Sequence, residues 1–256
     1  MGRSATGAPI SPLPVQTAVH LARGAWGWIL APTMLAVAVL ATAWRFSWDW
    51  LYWVAVPLVA LAGFFAWFFR DPDRMVAQGL VSPADGRVTR LERLRDPDIG
   101  DAERICIFMS PIDVHVNRFP LSGTVARVTH HAGAHVPAFD KDSDANERVE
   151  TLLSTAAGPV KVVQIAGTVA RRIVPYIVRG QGAIKGARMG LIRFGSRCDV
   201  ILPAGRAQWL VQPGDKVSAG STQLAAIDGV DGAVASGAAT SGTPGAAAAS
   251  PRMEAA

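Results

Sequence analysis

Hydrophobic and polar positions along this chain keep two different rhythms. From Gly24 to Trp44 the residues are uncharged and mostly apolar, and a second such stretch runs from Trp50 to Phe69. Each is long enough, as a helix rising about 1.5 Å per residue, to cross a hydrocarbon layer of roughly 30 Å. The polar break Arg45-Phe46-Ser47-Trp48-Asp49 between them predicts a helical hairpin over residues 24–69 with both ends on one side. Beyond Arg70 the apolar runs shorten and alternate, with Gly, Pro and Asp between them. They predict strands over Leu80 to Leu94, Arg104 to Met109, Gly123 to Thr129 and Val160 to Gly167. Helical patterning in this part is confined to Thr168 to Ile177. Two more apolar runs, Gly190 to Phe194 and Cys198 to Leu202, read as short buried strands, and the Gly195-Ser196-Arg197 between them reads as a turn with an exposed hydroxyl.

The expected fold is therefore mainly β (α+β): a barrel-sandwich-like domain over residues 70–228, preceded by the hydrophobic hairpin. Gly180 with Gly186, and Gly214 with Gly220, recur at one spacing and suggest the hairpins of a biotinyl/lipoyl-type barrel-sandwich. No lysine lies between two methionines at a hairpin tip, which argues against a carrier domain. Residues 1–23, with Pro9, Pro12 and Pro14, are expected to be a flexible arm, and the Ala- and Gly-rich residues 229–256 a disordered tail.

Composition narrows the partners. Half of the 256 residues are hydrophobic, only 18% are charged, and the formal net charge is +5 without a basic stripe. This argues against nucleic acid and for an anionic lipid. Tryptophans gather near the ends of the apolar segments, as interfacial rings do, and Arg3, Arg23, Arg70 and Arg74 flank the hairpin against Arg45 in its loop. That asymmetry predicts a cell-membrane protein with both termini, and so the domain over residues 70–228, in the cytoplasm. The first apolar segment is too long for a cleaved signal peptide and has no small-residue cleavage site. Cys106 and Cys198 have no second thiol or histidine at ligand spacing and read as buried thiols.

The candidate chemistry centres on Ser196. A serine hydroxyl is a poor nucleophile without a base or strain, and a preceding glycine permits a strained backbone. Five histidines are available: His20, His115, His130, His131 and His135. His130 and His131, adjacent on a strand, point to opposite faces, so with His135 and Asp140 they do not suggest a metal site. No Gly-x-Ser-x-Gly elbow surrounds Ser196, which argues against an ordinary serine hydrolase.

The run from Lys185 to Arg197, followed by Asp199-Val200 and Leu202-Pro203, resembles the processing-site segment of the phosphatidylserine decarboxylase proenzymes, in their short bacterial and archaeal form. Phe68 to Arg74, Ser82 to Val88 and Ser110 to Pro120 are similar to further segments of that family. The resemblance implies self-cleavage between Gly195 and Ser196, with Ser196 becoming a covalent pyruvoyl cofactor that forms a Schiff base with phosphatidylserine and yields phosphatidylethanolamine. It implies that the two fragments, alpha and beta, stay together, and it leaves homo-oligomer formation open. His115 falls on the family's substrate-site histidine and Asp85 on its acidic triad member. Longer relatives carry a second histidine three positions after the first, where this chain has Arg118, so the base is left open between His115 and a residue elsewhere. Arg118 and Arg148 are expected to bind the substrate's phosphate or carboxylate, since guanidinium forks suit both. Residues 138–148 are expected to form a loop near the lipid-facing mouth. The rival reading is a membrane-anchored barrel-sandwich adaptor without catalysis, in which Gly195-Ser196 is only a turn.

Overall fold

The computed structural model describes residues 18–134, 144–167, 172–193 and 195–227. Most of the expected arm, the expected tail, Phe194, His135, Asp140 and Lys141 lie outside them. Strand β1 (Val19–Leu21) leads into helices α1 (Trp26–Phe46) and α2 (Trp50–Phe68). Ser47, in the left-handed conformation with φ of 53°, ends α1 and returns the chain. Ala36, Ala43 and Ala55 are buried, small residues that let the two helices approach closely. The large side chains point outward, with Trp44 and Trp53 each 80% exposed. Both helices are long and apolar enough to cross a membrane.

The hairpin's last residues also pack against the β domain. Phe68 and Phe69 are fully buried with Ala22, Ala25, Val114 and Leu191, in a small core that joins α2 to the β domain. Strand β2 (Arg70–Pro72) pairs with β1, so the last residues of the expected arm are held in structure. Ala22 N also donates to Phe69 O at 2.8 Å.

The rest of the described chain is strand and turn: β3 (Leu80–Val81), β4 (Gly86–Asp96), β5 (Gly100–Met109), β6 (Val116–Arg118), β7 (Gly123–His131), β8 (Arg148–Thr155), β9 (Gly158–Ile165), β10 (Ile173–Pro175), β11 (Gly182–Ala183), β12 (Arg188–Ile192), β13 (Ser196–Pro203), β14 (Ala207–Trp209), β15 (Lys216–Val217) and β16 (Gln223–Ile227). Eight strands form a curled half-barrel in the order β11-β7-β8-β9-β13-β5-β4-β15, and β10-β12-β6 and β14-β16-β3 form smaller sheets. The fold is mainly β with an N-terminal helical hairpin. Where Thr168 to Ile177 patterned as a helix, Ile173–Pro175 is a strand, and residues 168–171 lie outside the described ones. The single strand expected over Leu80 to Leu94 is two, separated by the turn at Ser82 to Asp85.

The correction that matters most concerns Gly195-Ser196-Arg197. Strands β12 and β13 are not hairpin partners; they belong to different sheets, and the chain crosses between them at Gly195. Ser196 and Arg197 already belong to β13, which lies at the centre of the half-barrel between β9 and β5. Both are fully buried, so the hydroxyl is not exposed. Alternation then divides β13 between two environments. Cys198, Val200 and Leu202 enter the main core with Ile105 and Ile107, while Ile201 packs on the opposite face with Val163 and Ile165.

Candidate active site

Ser196 shares its face of β13 with Cys198 and lies opposite Met109 of β5. Its hydroxyl donates to Met109 Sδ at 3.3 Å, and a thioether is a weak acceptor that leaves the hydroxyl loosely held. Gly195 has φ of 61°, and nothing lies within 4 Å of where a Cβ would be, so conformation rather than space favours glycine there. From the neighbouring small sheet, Asn117 Nδ2 donates to the same sulfur at 3.6 Å, and Asn117 Oδ1 accepts a hydrogen bond from Gln164 Nε2 at 2.7 Å.

His115 immediately precedes β6 and is fully buried. Its Nδ1 lies 2.9 Å from the carbonyl oxygen of Asp113, a contact that only the Nδ1–H tautomer can make. Nε2 therefore carries the lone pair, and it has no hydrogen-bond partner among the described residues. The imidazole lies against Phe68, with ring centroids 4.4 Å apart and planes at 37°. Burial, opposed by the bond to Asp113 and reinforced by the nearby charge of Arg70, lowers the His115 pKa to about 4. At neutral pH this is an uncharged base with its lone pair unspent. Arg70 also donates to the carbonyls of Trp67 and Ile112, tying the end of α2 to the segment that carries His115.

A profile of the phosphatidylserine decarboxylase family matches residues 61–225, a span that contains all of these groups. A phosphatidylserine decarboxylase proenzyme from Streptomyces coelicolor is 48% identical over 225 residues, covering 88% of this chain and 99% of its own length. One from Thermobifida fusca is 49% identical over 207 residues, covering 80% and 92%. The chain belongs to the phosphatidylserine decarboxylase family.

In this member of the phosphatidylserine decarboxylase family, the residues expected at the site fall into separate groups. Asp85 is not the partner that orients His115 in this structure. Its oxygens accept hydrogen bonds from Arg74 Nη2 at 2.7 Å and from the Ala219 amide at 2.8 Å, while the Asp113 carbonyl holds the imidazole. Arg118 is buried and committed, donating to Asp71 at 2.8 Å and to the carbonyls of Gly186 and Pro72 at 3.0 Å each. Arg188 joins it on Asp71. Arg148 is partly exposed and donates to Glu150 at 2.9 Å. It lines a cleft of about 210 Å3 that also contains Arg104, Lys161, Asp144 and Asp199. His130 and His131 each lie beside a carboxylate, Glu147 and Glu150 respectively.

Sequence reasoning missed Asn117, Gln164 and Phe68 as neighbours of the site, and it missed the pairing of Arg197. The Arg197 guanidinium donates twice to Asp199, at 2.8 Å each, and also reaches Asp144. Charged Arg197 and Asp199 alternate with apolar Cys198 and Val200, which puts both charges on one face of the strand; that face is buried, and there they pair.

Proposed function

We propose that this chain is a self-processing, pyruvoyl-dependent phosphatidylserine decarboxylase, anchored in the membrane by α1 and α2 with its β domain on the cytoplasmic side. The observation that carries this reading is the setting of Ser196: a fully buried hydroxyl whose acceptor among the described residues is a thioether, directly after a glycine in the left-handed conformation. The site fits a group made from that residue. Position 196 is closed to water, its hydroxyl meets a thioether that also receives the uncharged Asn117 amide, and Gln164 Oε1 is a buried polar atom with no partner among the described residues.

Self-cleavage begins when Ser196 Oγ bonds to the Gly195 carbonyl carbon and the peptide C–N bond breaks, leaving an ester on Oγ and a free amine. The hydroxyl proton needs an acceptor, and His115 is our candidate because its lone pair is unspent and stays unprotonated at neutral pH. Loss of the Ser196 Cα proton expels the Gly195 carboxylate and leaves a double bond. After rearrangement to the imine, one water hydrolyses it, releases ammonia and leaves the pyruvoyl group. That group, once made, supplies a carbonyl able to accept the electron pair left when carbon dioxide departs. The chain's own part in turnover is to exclude water, to position the headgroup and to return a proton, the last through His115.

The serine headgroup of phosphatidylserine is the proposed substrate; Arg148, the less committed of the two expected arginines, opens onto the cleft on the Asp199 face of the half-barrel, opposite the face that carries Ser196, and has no part in binding it in this reading. Asp85 would act at a distance, through the charges of Arg74 and Arg70. Fragments 1–195 and 196–256 would remain associated without any new contact. Strand β13 of the small fragment is paired on both sides, with β9 and β5 of the large one.

The test is a denaturing gel. Wild type should give two fragments cut at Gly195-Ser196, the smaller one blocked to Edman sequencing and labelled by borohydride. Ser196→Ala should remain one inactive chain, and Ser196→Cys should cleave slowly because a thiol can perform the same acyl shift. An intact wild-type chain that decarboxylates phosphatidylserine would sink the mechanism. An intact, inactive wild type would favour the adaptor reading.

A further inference from the structure

Four side chains form a polar thread through an otherwise apolar core. Ser196 Oγ donates to Met109 Sδ at 3.3 Å, Asn117 Nδ2 donates to the same sulfur at 3.6 Å, and Gln164 Nε2 donates to Asn117 Oδ1 at 2.7 Å. Gln164 and Met109 belong to the half-barrel, whereas Asn117 belongs to the small sheet. The thread therefore bridges the two sheets beside Gly195, where the chain crosses from one to the other. Core packing alone would favour Leu or Met at residues 117 and 164, because a buried amide costs stability wherever a hydrogen bond is left unmade. Here one is unmade: Gln164 Oε1 has no partner among the described residues. The neighbouring strand also makes room for this glutamine. A Cβ at Gly190 would lie 2.9 Å from Gln164 Nε2 and 3.0 Å from the Val174 carbonyl oxygen.

We propose that Asn117 and Gln164 are positioning residues of self-cleavage, which set the Ser196 hydroxyl through the Met109 thioether. Gln164 fixes which way the Asn117 amide faces. The amide then directs its N–H at the sulfur and limits where the thioether can go. The sulfur's other contact holds Ser196 Oγ in one rotamer but accepts its proton too weakly to compete with a base. This inference rests on the self-cleavage reading, and it adds which residues orient the nucleophile. No bond is made or broken at Asn117, Gln164 or Met109.

The experiment follows maturation of newly synthesised full-length chain on a denaturing gel, with wild type and Ser196→Ala alongside. Those two controls test the self-cleavage reading by itself. Met109→Leu keeps size and apolarity while removing the acceptor, and it should slow maturation about tenfold or more, as expected for a misplaced reacting group. Asn117→Asp keeps the shape and the oxygen that receives Gln164 but loses the N–H. It should mature slowly at pH 8 and recover toward the wild-type rate near pH 5.5, because a buried, protonated carboxyl regains a donor for the sulfur. A merely structural role for Asn117 would give a recovery that tracks the Tm of the Asn117→Asp, Ser196→Ala precursor at each pH, whereas a positioning role slows maturation at pH values where that precursor is fully folded. With wild type cleaving and Ser196→Ala inert, a folded Met109→Leu chain that matures at the wild-type rate overturns the inference. So does an Asn117→Asp chain whose slow maturation is independent of pH.

Discussion

Phe68 links the helical hairpin to the proposed site, and replacing it gives a quantitative prediction. The ring is fully buried and lies 4.4 Å from the His115 ring, so it is part of what keeps water from the imidazole. Phe68→Ala removes that cover. The cavity should cost about 3–5 kcal/mol of stability, a large part of a typical domain's margin. Water entering it should let the His115 pKa rise from about 4 toward its ordinary 6.5. At pH 6 a base of pKa 4 is almost wholly neutral, whereas one of pKa 6.5 is only about a quarter neutral, so base-dependent maturation should fall about fourfold there. At pH 8 the same variant should mature nearly as wild type. The assay is the maturation rate of full-length precursor between pH 5 and 8, with a thermal melt of each sample. Phe68→Leu, which keeps most of the cover, should retain the flat wild-type profile. A cooperatively folded Phe68→Ala chain with an equally flat profile would refute the role given to Phe68, and with it the argument that burial keeps His115 neutral.

Two further outcomes follow from the way the domain is tied together. Arg118→Ala leaves Asp71 buried without one of its two guanidinium partners, and should cost about 3–5 kcal/mol, read as a lowered Tm of the Ser196→Ala precursor; an unchanged Tm would return Arg118 to a purely substrate-binding role. Deleting residues 26–60 should move the protein to the soluble fraction with maturation retained, whereas extending the deletion through Phe69 should stop maturation, because Phe68 and Phe69 belong to the core beside His115; equal maturation by the two deletions would show that the hairpin is only an anchor.

The sequence displayed the elements whose physics is local. A helix long enough to cross a bilayer has to be written as an uninterrupted apolar run, so α1 and α2 were legible nearly to the residue. Strands β5, β7 and β9 appeared as short apolar runs between turn residues. What pairs with what was not legible. A glycine at a crossover between sheets carries the same local signal as one in a hairpin, so Gly195-Ser196 read as a turn although Ser196 opens a central strand. Arg118 suited an anionic substrate by its chemistry, but Asp71, which takes its guanidinium, is 47 residues away in sequence. The motif contexts singled out Ser196 and His115. They could not reveal that a main-chain carbonyl orients His115, since any residue could supply one. Asn117 and Gln164 were quiet because a lone amide in an apolar run is more often a strand-edge residue than part of a core.

Strand β13 also bears on how the proposed cleavage could open a strand at its first residue and leave it in place. Chain ends normally fray, and cleavage at Gly195 would place a new end directly at the site. The next residue prevents it. The Arg197 guanidinium is fully buried and held by two bonds of 2.8 Å to Asp199 on its own strand, with a further bond to Asp144. Pulling residue 197 out of the sheet would leave Asp199 buried without its closest cation, at about 3–5 kcal/mol, in addition to the backbone bonds on both sides of the strand. The period of two then assigns the work: the side chain at 197 anchors the strand on one face, while the group at 196 is presented to Met109 on the other. A single-residue offset separates the anchor from the proposed chemistry, so a cut at the strand's first residue would not release what that residue carries.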